Sequence, residues 1–169
     1  RATAHVVTAG EALRQQLHHD NRFPLEHMTS VPTGIDLDRF APRDRLAMRR
    51  KLGIRDTPAL GIVATLRDWK GHAYLIDAFH DLRARFPAWQ LLIIGDGPQR
   101  ANLEQQAQRL ALGDSIRFVG NQDNVEEWLN ALDLFVLPSY GEEGVPQGVM
   151  QAMACGLAVV STPVGAIRE

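Results

Sequence analysis

Short apolar runs alternate with amphipathic stretches along nearly the whole chain, and few architectures accept that rhythm. LGIVAT (60–65), WQLLIIG (89–95), SIRFVG (115–120), LDLFVLP (132–138) and LAVVST (157–162) read as strands. Between them, GHAYLIDAFHDLRARF (71–86), PQRANLEQQAQRLAL (98–112), VEEWLNA (125–131) and VPQGVMQAMACG (145–156) read as helices. In the first helix Tyr74, Leu75, Ala78, Phe79, Leu82 and Phe86 are spaced to form one apolar face. The strand over 89–95 is apolar at successive positions, the mark of a strand covered on both sides by helices. Strands joined by helices of this length imply right-handed crossovers, so the spacing predicts an α/β fold with a doubly wound parallel sheet.

The start of the chain follows the same rhythm less regularly. AHVVTA (4–9), EALRQQLHH (11–19) and MTSVP (28–32) resemble the strand, helix and strand of a closing βαβ unit. The Gly-, Asp- and Pro-rich TGIDLDRFAP (33–42) reads as a connection. Pro42 is placed to open a helix running to Lys51, and Gly53 to end it. The domain boundary is expected near residues 38–58, with residues 1–40 closing a preceding domain and 41–169 forming the main one.

Composition narrows the functional classes. The 169 residues carry a formal net charge of −2, which gives no reason to expect nucleic acid as a partner. No apolar run reaches the length of a membrane span, and a cytoplasmic protein is the expectation. Cys155 is the single cysteine, which excludes an internal disulfide and a cysteine-based metal site, and its MACGLAVV context marks it as buried. Arginine far outnumbers lysine, and the two lysines are Lys51 and Lys70.

In an open parallel sheet, ligands collect where the strands end at their carboxyl side. The loops that follow the predicted strands contain Arg67 and Lys70, the turn Gly95-Asp96-Gly97-Pro98, the polar run Asn121 to Asn124, and SYGEEGVPQG (139–148). Gly144 and the amides of Val145, Gln147 and Gly148 are expected to open a helix aimed at the ligand. Its unpaired N–H groups and partial positive charge suit a diphosphate, with a gap at Pro146, which cannot donate. Lys70 can add a point charge from the neighbouring loop, so no metal and no cofactor are required. Each residue also has a plainer reading. Lys70 can be a surface lysine, Gly95 to Pro98 an ordinary strand-to-helix turn, and Glu142 and Glu143 acids favoured by a helix dipole. His72 reads as a capping or packing group, His18 and His19 as solvated, and Trp69 and Trp89 as packing residues.

Taken together, SYGEEGVPQGVMQAMACGLAVVSTPVGAIRE resembles the signature of retaining glycosyltransferase family 4, which has the two-domain GT-B fold. TLRDWKGHAYLIDAF, LLIIGDGPQR, IRFVG and ALDLFVLPS resemble its earlier motifs in order, and VPTGIDLDRFAP resembles its hinge. The resemblance implies a nucleotide-sugar-binding half, a Rossmann-like unit that serves metal-independent, retaining transfer to a saccharide or lipid-linked acceptor. It implies peripheral membrane association for a full-length protein that uses a lipid-linked acceptor. On this reading Lys70 holds the donor phosphates and Glu143 contacts the transferred sugar. The amides from Gly144 to Gly148 meet the diphosphate. Gly120, Asn121 and Val125 edge the nucleobase, and Gly95 and Gly97 line the same groove.

Two positions depart from the family pattern. Gln151 stands where a second glutamate binds the ribose, and Thr65 stands where an arginine is frequent, with Arg67 nearby but differently directed. The resemblance also implies a missing acceptor-side domain and missing C-terminal elements, so the chain alone is expected to bind donor without transfer. A non-catalytic nucleotide-binding or scaffold module of the same fold is the alternative, and Gln151 and Thr65 favour it. A dehydrogenase is disfavoured because no G-x-G-x-x-G follows a first strand.

Overall fold

The computed structural model describes residues 3–141 and 143–168. The parallel sheet implied by the alternation is present, with five strands: β3 (Ala59–Val63), β4 (Gln90–Ile94), β5 (Ile116–Gly120), β6 (Leu134–Leu137) and β7 (Ala158–Ser161). Their spatial order is β5-β4-β3-β6-β7 and every pairing is parallel. The chain therefore winds outward from β3 in one direction and then, from β6, in the other. That reversal creates a crevice at the carboxyl ends of β3 and β6, the position where such sheets bind ligands.

The helices are α3 (His72–Arg85), α4 (Arg100–Arg109), α5 (Val125–Asn130) and α6 (Gln147–Ala154). β4 is buried at all five positions. Leu91, Leu92, Ile93 and Ile94 are at most 1% exposed, and each contributes about 1.5–3 kcal/mol relative to an exposed side chain. Phe79 from α3 and Phe135 from β6 close the core around them.

The inner face of α3 differs from the expected one. Leu75, Phe79 and the half-buried Leu82 point inward as the spacing predicts, but Tyr74, Ala78 and Phe86 are exposed. His72 and Ile76 take the inner positions instead. Residues 72, 75, 76 and 79 satisfy the i, i+3, i+4, i+7 spacing better than the aromatic positions do.

A separate pair of parallel strands, β1 (Val6–Thr8) and β2 (Met28–Ser30), flanks α1 (Glu11–Asn21). The following helix, α2 (Arg45–Leu52), does not open at Pro42. Asp44 caps it by accepting from the Ala47 amide at 3.0 Å, a capping bond that proline has no side chain to make. Gly53 ends it in the left-handed conformation, as its position suggests. α2 is tied to the main sheet through the buried Arg49, which donates to the Ala131 carbonyl and to Asp133. Asp133 also accepts from the Ala59 amide at 2.7 Å, so one carboxylate joins α2, β3 and the entry to β6. Cys155 is buried, and burial pushes its thiol pKa up, which leaves it an inert packing group.

Candidate functional site

The loops after β3 and β6 are joined to one another before any ligand is considered. A 3-10 turn over Asp68–Lys70 ends at Gly71, whose φ of 75° lies in the left-handed region. A β-carbon on Gly71 would lie 2.1 Å from the Pro138 carbonyl oxygen. The Ser139 hydroxyl and the Tyr140 amide both donate to the Trp69 carbonyl at 2.8 Å. Trp69 thus acts as a keystone, packed also beneath Gly141, where an added β-carbon would stand 2.6 Å from the tryptophan side chain.

This weld places Lys70 against Glu143. The Lys70 ammonium donates to both carboxylate oxygens at 2.7 Å, and the two side chains are 21% and 7% exposed. Glu142 lies outside the described residues. Glu143 is no helix-start residue here, because α6 begins only at Gln147, with Pro146 at the cap position. The expectation that Gly144 and Val145 open the helix is corrected on the same ground: both lie in the preceding loop. Proline at the cap has a fixed φ and no amide, and the helical bonds start after it, at the Val149 amide, which donates to the Pro146 carbonyl. The amino end of α6 rests on the end of β3, since a β-carbon on Gly148 would lie 2.9 Å from the Val63 carbonyl. Gln147 is exposed and Gln151 half-buried one turn further along the helix.

The other predicted residues fall around this centre. Gly95 and Gly97 lie where the loop after β4 packs on the loop after β3, and added β-carbons would come within 2.1 Å of the Ala64 oxygen and 2.7 Å of the Leu66 oxygen. Backbone crowding accounts for both glycines. Gly120 accepts from the Gly95 amide at 2.9 Å, which brings the base-edge segment to the same rim. Asn121 is exposed beyond it and Val125 is half-buried at the start of α5. Thr65 is exposed, and Arg67 lies over the Trp69 ring, 5.1 Å from its centroid. That cation–π contact directs the guanidinium onto the indole. The structure therefore unites Lys70 and Glu143 directly, sets Gly148 over β3, and leaves Thr65 and Asn121 as exposed rim positions.

Sequence reasoning did not identify the keystone role of Trp69, which depends on partners about 70 residues away. It also left the depth of His72 open. The imidazole is 1% exposed, and among the described residues neither ring nitrogen has a hydrogen-bond partner. Burial lowers its pKa to about 4 against the opposing pull of the nearby Arg67 carbonyl, and the charge on Lys70 lowers it further.

The family described as Glycosyl transferases group 1 matches residues 57–169, and the chain belongs to it. It is 33% identical over 162 residues to the putative glycosyltransferase EpsF of Bacillus subtilis, covering 94% of this chain and 42% of that protein. It is 34% identical over 148 residues to the lipopolysaccharide core biosynthesis mannosyltransferase LpsB of Rhizobium meliloti, again covering 42% of that protein. The chain thus spans less than half the length of these relatives.

Among solved structures, Anabaena HepE in complex with UDP-glucose superposes with a TM-score of 0.88 at 25% identity, over 99% of this chain and 47% of that one. The C-terminal domain of a Francisella tularensis group 1 glycosyl transferase, LpcC, gives 0.70 at 28% identity, over 80% of this chain and 74% of that one. The fold is that of a Rossmann-like half of a GT-B glycosyltransferase. Among the described residues, no helix is long and apolar enough to cross a membrane.

Proposed function

We propose that this chain is the donor half of a retaining glycosyltransferase, binding a nucleotide-diphosphate sugar in the crevice where the sheet order reverses. The observation that carries the reading is the Lys70–Glu143 pair at the carboxyl ends of β3 and β6. A diphosphate sugar offers a partner to each: its phosphate oxygens accept from the Lys70 ammonium, and its sugar hydroxyls donate to the Glu143 carboxylate. Donor entry therefore separates the two side chains and pairs each anew. The amino end of α6 adds N–H groups and a partial positive charge beside the diphosphate. Negative charge grows on the diphosphate as the bond to the sugar breaks. Lys70 and α6 stabilise it in place, an electrostatic contribution that needs no metal. Gln151 faces the ribose, and Gly120, Asn121 and Val125 border the base.

On this reading residues 1–40 belong to an acceptor-side domain and 41–169 to the donor side. The acceptor is a saccharide or lipid-linked saccharide, used at the cytoplasmic side of a membrane. UDP-glucose in HepE and the saccharide pathways of the relatives support this class of substrate.

A second reading, a non-catalytic nucleotide-binding module, draws on one observation: Arg67 lies over Trp69, leaving Lys70 as the cation paired with Glu143. A thermal-shift panel of UDP, GDP, ADP and their sugars tests the donor reading, because a ligand that prefers the folded state raises the melting temperature. At least one nucleotide should stabilise the chain and lose that effect with Lys70→Ala. Stabilisation unchanged by Lys70→Ala would mean that the phosphate site lies elsewhere. Transfer by the full-length protein separates the enzyme from the module.

A further inference from the structure

Beside the crevice, on the side of the sheet covered by α3 and α4, lies a second cavity of about 240 Å³. Its wall is chemically mixed. Tyr74 from α3 and Tyr140 from the loop after β6 meet edge to face, with ring centroids 5.6 Å apart and an interplanar angle of 77°. Both rings are largely exposed, at 64% and 56%, although neither is needed to fill the core. Around them stand Asp68, Asp77 and Gln99. Aromatic side chains this exposed and paired across two separate elements leave apolar faces open to solvent beside carboxylate and amide groups.

That combination selects among ligand classes. A phosphate or other compact anion is disfavoured, because Asp68 and Asp77 outweigh the single guanidinium of Arg67, which is itself held on Trp69. A purely apolar ligand would strand the polar wall groups. A nucleic acid has no basic surface to follow. A neutral pyranoside suits both halves: its C–H faces pack on tyrosine rings and its hydroxyls bond to carboxylate and amide oxygens. His72 lies behind this wall, with its ring nitrogens closed off from the cavity.

We propose that the Tyr74–Tyr140 cavity is a saccharide-binding subsite, distinct from the donor crevice, which holds one neutral sugar unit of a longer glycan at the rim of the site. The two are mechanically joined, because the Tyr140 amide donates to Trp69, the residue preceding Lys70. The subsite does not depend on the donor reading, since none of its groups is asked to touch nucleotide.

The test is amide-resolved NMR titration of the 169-residue chain with methyl α-D-glucopyranoside and with maltotriose, each with and without UDP. Shifts should cluster at Ala73, Tyr74, Asp77, Gln99 and Tyr140. Tyr74→Ala should weaken saccharide binding about fivefold or more, within the range of aromatic packing contributions, and leave UDP binding unchanged. Tyr74→Phe should restore it, because the ring face is retained. Shifts confined to residues 143–148, saccharide binding indifferent to Tyr74→Ala, or no binding at millimolar saccharide would each overturn the subsite. Failure of UDP to bind while the saccharide still maps to Tyr74 would count against the donor reading alone.

Discussion

Glu143→Gln should turn a poor binder of bare diphosphate into a better one. The Lys70 ammonium is engaged at 2.7 Å by both oxygens of a carboxylate that is only 7% exposed. A ligand that brings phosphate without sugar must break this pair and leaves the carboxylate with no replacement donor. Two unit charges ~4 Å apart attract by about 4 kcal/mol at an effective dielectric constant near 20, an upper figure because separation rehydrates both groups. The net share is closer to the ~1.5–3 kcal/mol of a hydrogen bond to a charged group.

Glutamine keeps the shape and removes the charge. Inorganic diphosphate and UDP should therefore bind Glu143→Gln about tenfold tighter or more, since ~1.4 kcal/mol is one decade. UDP-glucose should gain little, because the same substitution weakens the contact to the sugar by a similar amount. Calorimetry with the three ligands reads this as a rise of about tenfold in the Kd ratio of UDP-glucose to UDP. If all three ligands weaken together in Glu143→Gln, the carboxylate holds the loop in place and does not compete with phosphate, and the reasoning fails.

Further expectations concern stability and the ribose contact. His72 is neutral when folded, and its pKa of about 4 lies below its unfolded value of 6.5. The unfolded chain takes up the proton first as pH falls, so this contribution is complete above about pH 6.5 and is lost progressively down to pH 4. Between pH 7.5 and 5, urea titrations should show wild type losing about 2 kcal/mol more than His72→Leu, and parallel losses would refute the assignment. Gly95→Ala should cost about 3 kcal/mol or more in the same assay, because its φ of 133° and a β-carbon 2.1 Å from the Ala64 oxygen both oppose a side chain. Gln151→Ala should weaken nucleotide binding by about 0.5–1.5 kcal/mol and leave inorganic diphosphate unaffected, as calorimetry with both ligands would reveal.

The parts of this structure that were legible in the sequence are those governed by local periodicity. The LLII run of β4 announces a strand buried on both faces, and the Lys70 loop and the glutamate loop follow β3 and β6 as the alternation predicts. The expected α3 face fails at Tyr74, Ala78 and Phe86, since aromatic and small side chains satisfy a helical spacing rule whether they face the core or solvent. α6 starts later than the sequence suggests at Gly144 and Val145, because a glycine-rich run before a helix resembles a helix opening and only Pro146 hints at the delay. The contacts that make the site are non-local. Nothing near Gly71 in sequence indicates that Pro138 will press against it, and nothing near Arg67 indicates that its guanidinium will lie over the Trp69 ring.

Four glycines at the rim, Gly71, Gly95, Gly97 and Gly148, have backbone oxygens within 2.9 Å of where a β-carbon would stand. Any substitution of glycine adds at least that carbon, so these positions are closed to single-step change, whatever advantage the new side chain offers. Thr65, Asn121 and Gln147 are exposed on the same rim and escape that crowding. Exchanges at such surface positions usually alter stability by no more than about 0.5 kcal/mol. On the donor reading, a lineage carrying this fold can therefore explore new donors cheaply through those exposed side chains, while the crowded glycines are held in place. Acquired selectivity in descendants of this chain should be traced first to those three positions.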